Sequence, residues 1–246
     1  MKKDTVCKIL TLILVVCLLS IIFPLIRSEP EGATVQFISN STKNSTTAQS
    51  RNDTKGTIST VILTTIQQNS KWKAYVGNVS GTLVLRDADS YSIYEWASGG
   101  SPDGRVFMTR NSTINWDTIR CANDTSVTFE QNELSHSSTA ADNINNTFSY
   151  RIHKSFPVGE VTITNSTCKS LATWVNNTAQ SMTESALFEE VLLMDLNYRM
   201  VYTTIIDQNT RGYRNDNVTK YDFQAIVPDY TTTTTALYYF YVEISG

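Results

Sequence analysis

Residues 9–26, ILTLILVVCLLSIIFPLI, form an uncharged run of 18 between Lys8 and Arg27. A membrane-spanning helix needs roughly 20 mainly apolar residues, whereas a signal-peptide core has about 7–15. The run exceeds the second range and just reaches the first. No small-residue cleavage pattern follows it; Pro24, Arg27 and Glu29-Pro30 do. The pattern predicts an uncleaved signal anchor over 9–26, with residues 1–8 as a cytoplasmic N-terminus. Lys2, Lys3 and Lys8 precede the run and only Arg27 closely follows it, so the positive-inside rule places residues 28–246 outside the cell. Leu14-Val15-Val16 lacks the small residue that a lipid-modified Cys17 would need in front of it, which argues against a lipoprotein.

Beyond the anchor the pattern changes twice. Residues 39–55, SNSTKNSTTAQSRNDTK, offer nothing to bury, so 27–55 reads as a disordered, glycosylated stalk. From Gly56 onward come short β-type runs separated by turn signals. Thr57–Ile66 is β-branched almost throughout and predicts a buried strand. Trp72–Leu85 holds Gly77-Asn78 and Ser80-Gly81 and splits into two strands or one bulged strand. Tyr91–Trp96 and Arg105–Thr109 flank the turn-rich SGGSPDG of 98–104. Ser126–Glu130 and Glu160–Thr164 alternate as short strands do, and Trp116–Ala122 is a short helix or irregular. Phe188–Asp195 and Met200–Asp207 form a hairpin about Leu196-Asn197-Tyr198-Arg199. Tyr221–Val227 and Ala236–Ile244 close the chain. The fold class expected is all-β: an antiparallel β-sandwich ectodomain over 56–246 behind one N-terminal transmembrane helix.

Charge and sequons then bear on location. Without the first 27 residues the chain keeps 16 Lys+Arg and 22 Asp+Glu, a net −6 with no basic cluster, which argues against a nucleic-acid partner. Ten N-x-[ST] acceptor sites follow the anchor: Asn40, Asn44, Asn52, Asn78, Asn111, Asn123, Asn145, Asn165, Asn176 and Asn217. Chance would give about four in a chain of this composition. The excess points to a glycosylated extracellular surface, against the plain alternative of a polar Asn/Thr-rich one. It also agrees with the orientation set by the flanking lysines.

Cys7 and Cys17 lie beside or within the apolar run, which leaves Cys121 and Cys168 as the ectodomain's natural disulfide pair. Two cysteines with no histidine at ligand spacing do not make a zinc site. The remaining candidates for chemistry have plainer readings beside them. His136 and His153 could serve a Ser-His-Asp triad, but no G-x-S-x-G elbow is present and exposed loop histidines are the ordinary reading. Glu189, Glu190 and Asp195 suggest a carboxylate pair of glycosidase type. On a strand, however, Glu189 and Glu190 face opposite ways, so a solvated face with a core-facing partner is expected. Asp87, Asp89 and Asp103 sit at turns without the glycine and distal glutamate of a calcium loop. Trp72, Tyr75, Trp96, Trp116 and Trp174 read as core aromatics before they read as a sugar platform. The terminal ALYYFYVEISG completes its own sheet or donates a strand to a neighbour. No cofactor is implied.

Several blocks occur in a familiar order: Trp72-Lys73-Ala74-Tyr75-Val76-Gly77-Asn78, Thr82-Leu83-Val84-Leu85-Arg86-Asp87, Ile119-Arg120-Cys121-Ala122, Phe188-Glu189-Glu190-Val191-Leu192-Leu193, Tyr221-Asp222-Phe223-Gln224 and Tyr238-Tyr239-Phe240-Tyr241-Val242-Glu243. The order resembles uncharacterised surface proteins of small-genome archaea of the woesearchaeal and pacearchaeal type, over roughly residues 57–246. The resemblance implies an archaeal exported β-domain and brings no active site with it. The expectation is a membrane-anchored, N-glycosylated cell-surface protein that acts by contact with envelope proteins or by self-assembly, and is not an enzyme. A carbohydrate- or ligand-binding adhesin is the alternative, and an extracellular hydrolase the third reading.

Overall fold

The computed structural model describes residues 29–43, 47–65, 67–86, 89, 91–96, 103–216 and 218–245. The anchor expected at 9–26 lies outside the described residues, as do Asn44, Asn217 and Asp87. Among the described residues no helix is long and apolar enough to cross a membrane.

The elements run β1 (Glu31–Gly32), β2 (Trp72–Gly77), β3 (Leu83–Arg86), β4 (Ser92–Trp96), β5 (Asp103–Thr109), β6 (Arg120–Cys121), helices α1 (Asp124–Glu133) and α2 (Ile144–Thr147), β7 (Phe156–Val158), β8 (Val161–Ile163), β9 (Ser170–Ala172), β10 (Glu189–Met194), β11 (Met200–Ile205), β12 (Thr210–Arg211), β13 (Lys220–Tyr221), β14 (Phe223–Pro228) and β15 (Tyr239–Ser245). Regular structure is mostly antiparallel strand with few helices, as an all-β class requires.

A seven-stranded sheet in the order β1-β15-β5-β11-β10-β6, with β9 also on β10, is the centre of the molecule. Its middle strands are buried on both faces: every residue of β10 and β11 is buried. Because side chains alternate along a strand, each strand feeds two cores. Leu192, Met200, Tyr202 and Met108 point to one, with Val127 and Leu134 from the α1 region, Ile144 and Phe148 from the α2 region, and Ala225 and Val227 of β14. Val191, Leu193, Val201, Ile205 and Phe107 point to the other, with Trp116, Ile119, Phe156, Val158 and Ile163. The β2–β14 pair covers the first face and the β7–β8 hairpin the second. Double-sided burial explains why FEEVLLMD and MVYTTIID read as near-continuous apolar runs.

The β10–β11 hairpin forms with Met194 opposite Met200. Asp195 builds its loop: one carboxylate oxygen accepts the amides of Asn197 and Arg199, the other that of Asn115. Tyr198 takes the left-handed φ of 59° that closes the turn. Trp72–Leu85 resolves into two strands, β2 and β3, and the C-terminal strand completes its own sheet, paired with β5 from Tyr239–Thr109 to Ser245–Asp103.

Three expectations change. Thr57–Thr65 is not a buried strand; it carries no strand pairing and every residue is exposed. Ser126–Glu130 is helical, because Asn123 and Ser126 form a reciprocal capping box that starts α1. Its inward residues Ser126, Val127, Glu130 and Gln131, continued by Leu134, follow helical spacing. The 27–55 stretch is tied back where Glu31 and Gly32 pair with Val242 and Tyr241 and the Ala33 amide donates to the Phe240 carbonyl, and the Lys43 amide donates to Gln68.

Candidate functional site

Cys121 and Cys168 are joined by a disulfide. Its position follows from the edge of β10. The Leu192 carbonyl accepts from the Ala122 amide, and the Leu192 amide donates to the Lys169 carbonyl. Two separate stretches, β6 with its following residue and the approach to β9, therefore meet end to end along one strand. The disulfide staples them beside that junction. His153 lies under the staple with its ring buried. Its Nε2 accepts the amides of Thr167 and Cys168, and its Nδ1 donates to the Lys154 carbonyl. A ring nitrogen that accepts two amides carries no proton, so the imidazole is held neutral; burial likewise pushes its pKa below the ordinary value. His136 is also buried, with Nε2 on the Asp229 carbonyl. The exposed-loop reading of both histidines is thus corrected. Both are packed against backbone and neither touches a nucleophile–acid pair.

Glu189 and Glu190 do face opposite sides of the sheet. Glu189 accepts the Lys154 amide on one face and Glu190 the Ile226 amide on the other. Neither face is solvated, since both carboxyls are wholly buried, and each leaves one oxygen without a hydrogen bond. Loss of water raises Glu189 to about 7 and Glu190 well above the carboxylate range. Asp195, the third member of the expected acidic set, is taken up by its loop. These residues are not convergent on a cleft. Asp89 and Asp103 are exposed, and among the described residues no three metal-ligating side chains cluster.

The described asparagines lie almost wholly at the surface. Asn40, Asn52, Asn78, Asn123, Asn145 and Asn165 are exposed and Asn111 and Asn176 half-buried. The asparagines outside any acceptor motif are exposed as well, except Asn143, which is buried with its amide nitrogen spent on the Ser137 and Ser138 carbonyls. Asn123 uses its side-chain oxygen to cap α1, and Asn145 uses its oxygen to accept from Lys169, so in both the nitrogen that a glycan would take is left outward. Asn165 is the exception, since its nitrogen donates to Glu184.

The aromatic candidates divide. Trp116 is core, packed on Phe107 and Tyr241. Trp72 and Tyr75 are half-buried against Phe148 and Phe240. The side chain of Trp96 falls outside the described set. Trp174 stands 54% exposed. Gln224 links it to Tyr213, donating to the Trp174 carbonyl and accepting the Tyr213 amide, and Tyr213 stacks on Tyr221 with ring planes 7° apart. No sequence pattern announces that grouping, because its members lie on three separate stretches of chain. Comparison with protein-family models, with curated proteins and with solved structures finds no match to this chain.

Proposed function

We propose that this chain is a membrane-anchored, N-glycosylated cell-surface protein whose β-domain works by protein contact and self-assembly without catalysis. The single observation that carries this reading is the excess of acceptor motifs, ten in one chain, none of whose described asparagines is buried. The Cys121–Cys168 disulfide agrees with an oxidising compartment. In this reading the β2–β14 pair is the second layer of a sandwich, and the 9–26 segment anchors the chain in the envelope of an archaeal cell. Glycopeptide mapping and membrane fractionation of the native protein test it. Glycans on several of the ten sites of a membrane-retained chain are expected; an unglycosylated chain in the cytosol overturns it.

The exposed Trp174 with Tyr213 and Tyr221 favours a second reading, a carbohydrate-binding adhesin. Loss of sugar binding in Trp174→Ala would establish it, and no binding to a broad glycan array would exclude it.

A further inference from the structure

We infer that Thr57–Thr65 adds, as a β-strand in trans, to the outer edge of β2 in a second copy of this chain. The inference names the partner within the self-assembling surface-protein reading above and rests on it.

The donor is unusual for an exposed stretch. TISTVILTT has no charge, no proline and no glycine, and is almost wholly β-branched. Yet Ile58, Ile62 and Leu63 are 97%, 92% and 90% exposed, and Val61 is 55% exposed. Among the described residues its only backbone hydrogen bond is a local one, from the Thr57 amide to the Thr54 carbonyl. Both rows of backbone groups from Ile58 to Thr65 are therefore open for pairing.

The acceptor is defined by the β2–β14 register. Ile226 gives its amide to Glu190 and Gln224 gives its carbonyl to Thr204, so both turn away from β2. In an antiparallel pair, residues opposite outward-turned ones are outward-turned too. Their partners Ala74 and Val76, and Trp72 two residues before Ala74, thus direct their backbone groups to the far side of β2. Among the described residues nothing pairs with that side. The other long edges carry partners: residues 31–33 lie on β15 over Phe240–Val242, and β6 and β9 lie on β10. An unprotected edge and an unpartnered β-prone run long enough to span it are the pattern of strand addition.

The pairing is not satisfied within one chain. The approach to β2 is held to Asp142 instead: Asn69 and Lys71 bond its carboxylate at 2.7 and 3.0 Å, and the Trp72 indole donates to its carbonyl at 2.8 Å. Donor and acceptor are different surfaces, so the contact is either exchanged reciprocally in a two-fold dimer or runs head-to-tail into rings or filaments.

Full-length protein in detergent, examined by mass photometry and negative-stain electron microscopy, tests this. Wild type should form assemblies. Ile62→Pro removes an outward-exposed donor position, and Ala74→Pro removes an acceptor amide that bonds nothing in β14; each alone should be monomeric. Mixed together they should form a dimer, because one retains the acceptor and the other the donor. Circular dichroism and the disulfide report that each variant is folded. A monomeric wild type, assemblies that persist in both variants, or a monomer whose 57–65 amides resist hydrogen exchange through a hairpin in cis would each overturn the inference. Glycopeptide mapping of the same preparation separates that failure from failure of the surface-protein reading.

Discussion

Glu189 carries the most specific thermodynamic consequence of a sheet buried on both faces, and Glu189→Gln isolates it. Loss of water is the largest influence on its carboxyl, raising it from 4.5 to about 7, partly offset by the Lys154 amide and ammonium and reinforced by Asp207. In the unfolded chain the value returns to the ordinary one. Below about pH 4.5 both states hold the proton, and the protonated group contributes its full share of stability. As pH rises toward 7 the unfolded chain ionises and the folded one does not, so stability falls. Above 7 both are ionised and the loss is complete. At about 1.4 kcal/mol for each tenfold difference in proton affinity, the loss across this window is roughly 3 kcal/mol. Glu190 on the opposite face is raised as well and acts in the same direction, whereas His153, held neutral, loses stability as pH falls. Both are present in wild type and variant and cancel in the difference. Glutamine keeps the volume and an oxygen for the Lys154 amide. Urea unfolding with the disulfide intact, read by tryptophan fluorescence from about pH 4 to about pH 8, should therefore give a difference curve that is flat at the acid end. It should shift by about 3 kcal/mol in favour of the variant by neutral pH, then level off. A difference that does not change with pH would refute the account of Glu189 as a carboxyl protonated by burial.

Three further outcomes follow from local geometry. Cys121→Ser with Cys168→Ser releases a loop spanning a sequence separation of 47, and should lower unfolding free energy by about 4 kcal/mol in the chain-entropy account; an unchanged urea midpoint would contradict it. Asn123→Ala should cost about 1 kcal/mol in unglycosylated protein through loss of the α1 cap, while Thr125→Ala abolishes the same acceptor site and leaves the cap bonds intact. Equal stabilities of the two variants would remove the cap from the argument. Gly104 sits at φ 155°, and a Cβ there would lie 2.0 Å from the Glu243 carbonyl oxygen. Gly104→Ala should therefore cost about 3 kcal/mol or more, since the β5–β15 pairing must shift to accept it; a thermal midpoint within error of wild type would contradict that.

What was legible in the sequence was whatever depended on neighbours in sequence. The β10–β11 hairpin shows in two apolar runs about a loop that begins with Asp195, because the loop is built by Asp195 bonding amides two and four residues on. The disulfide was legible by elimination in composition. The start of α1 was also present in the sequence, as Asn123 three residues before Ser126, but the alternation of Val127 and Phe129 masked it; Phe129 in fact points to solvent at 56% exposure. The histidines and glutamates were not legible. His136 bonds a carbonyl 93 residues away and Glu190 an amide 36 residues away. Such partners are backbone atoms, which every residue carries and no side-chain pattern announces.

Thr57–Thr65 shows the same limit from the other side. β-branched composition reports that a segment fits a pleated, half-buried surface, and not that its own chain supplies that surface. The fold protects its other long edges in ways that consume sequence: β1 lies along β15, and β6 and β9 meet on β10 under a disulfide. A chain under selection merely to avoid association would break the uncharged 57–65 run with a lysine or a proline, or cover β2 in the same manner. Here neither device is used. Charge returns on both sides of the run instead, at Lys55 and at Lys71, with acceptor asparagines Asn52 and Asn78 beyond them. Polar flanks of this kind limit where a strand can pair without weakening the strand itself. In the proposed assembly the open edge and the exposed run would serve each other, so that the surface a monomer leaves unsatisfied would be the surface a second copy covers.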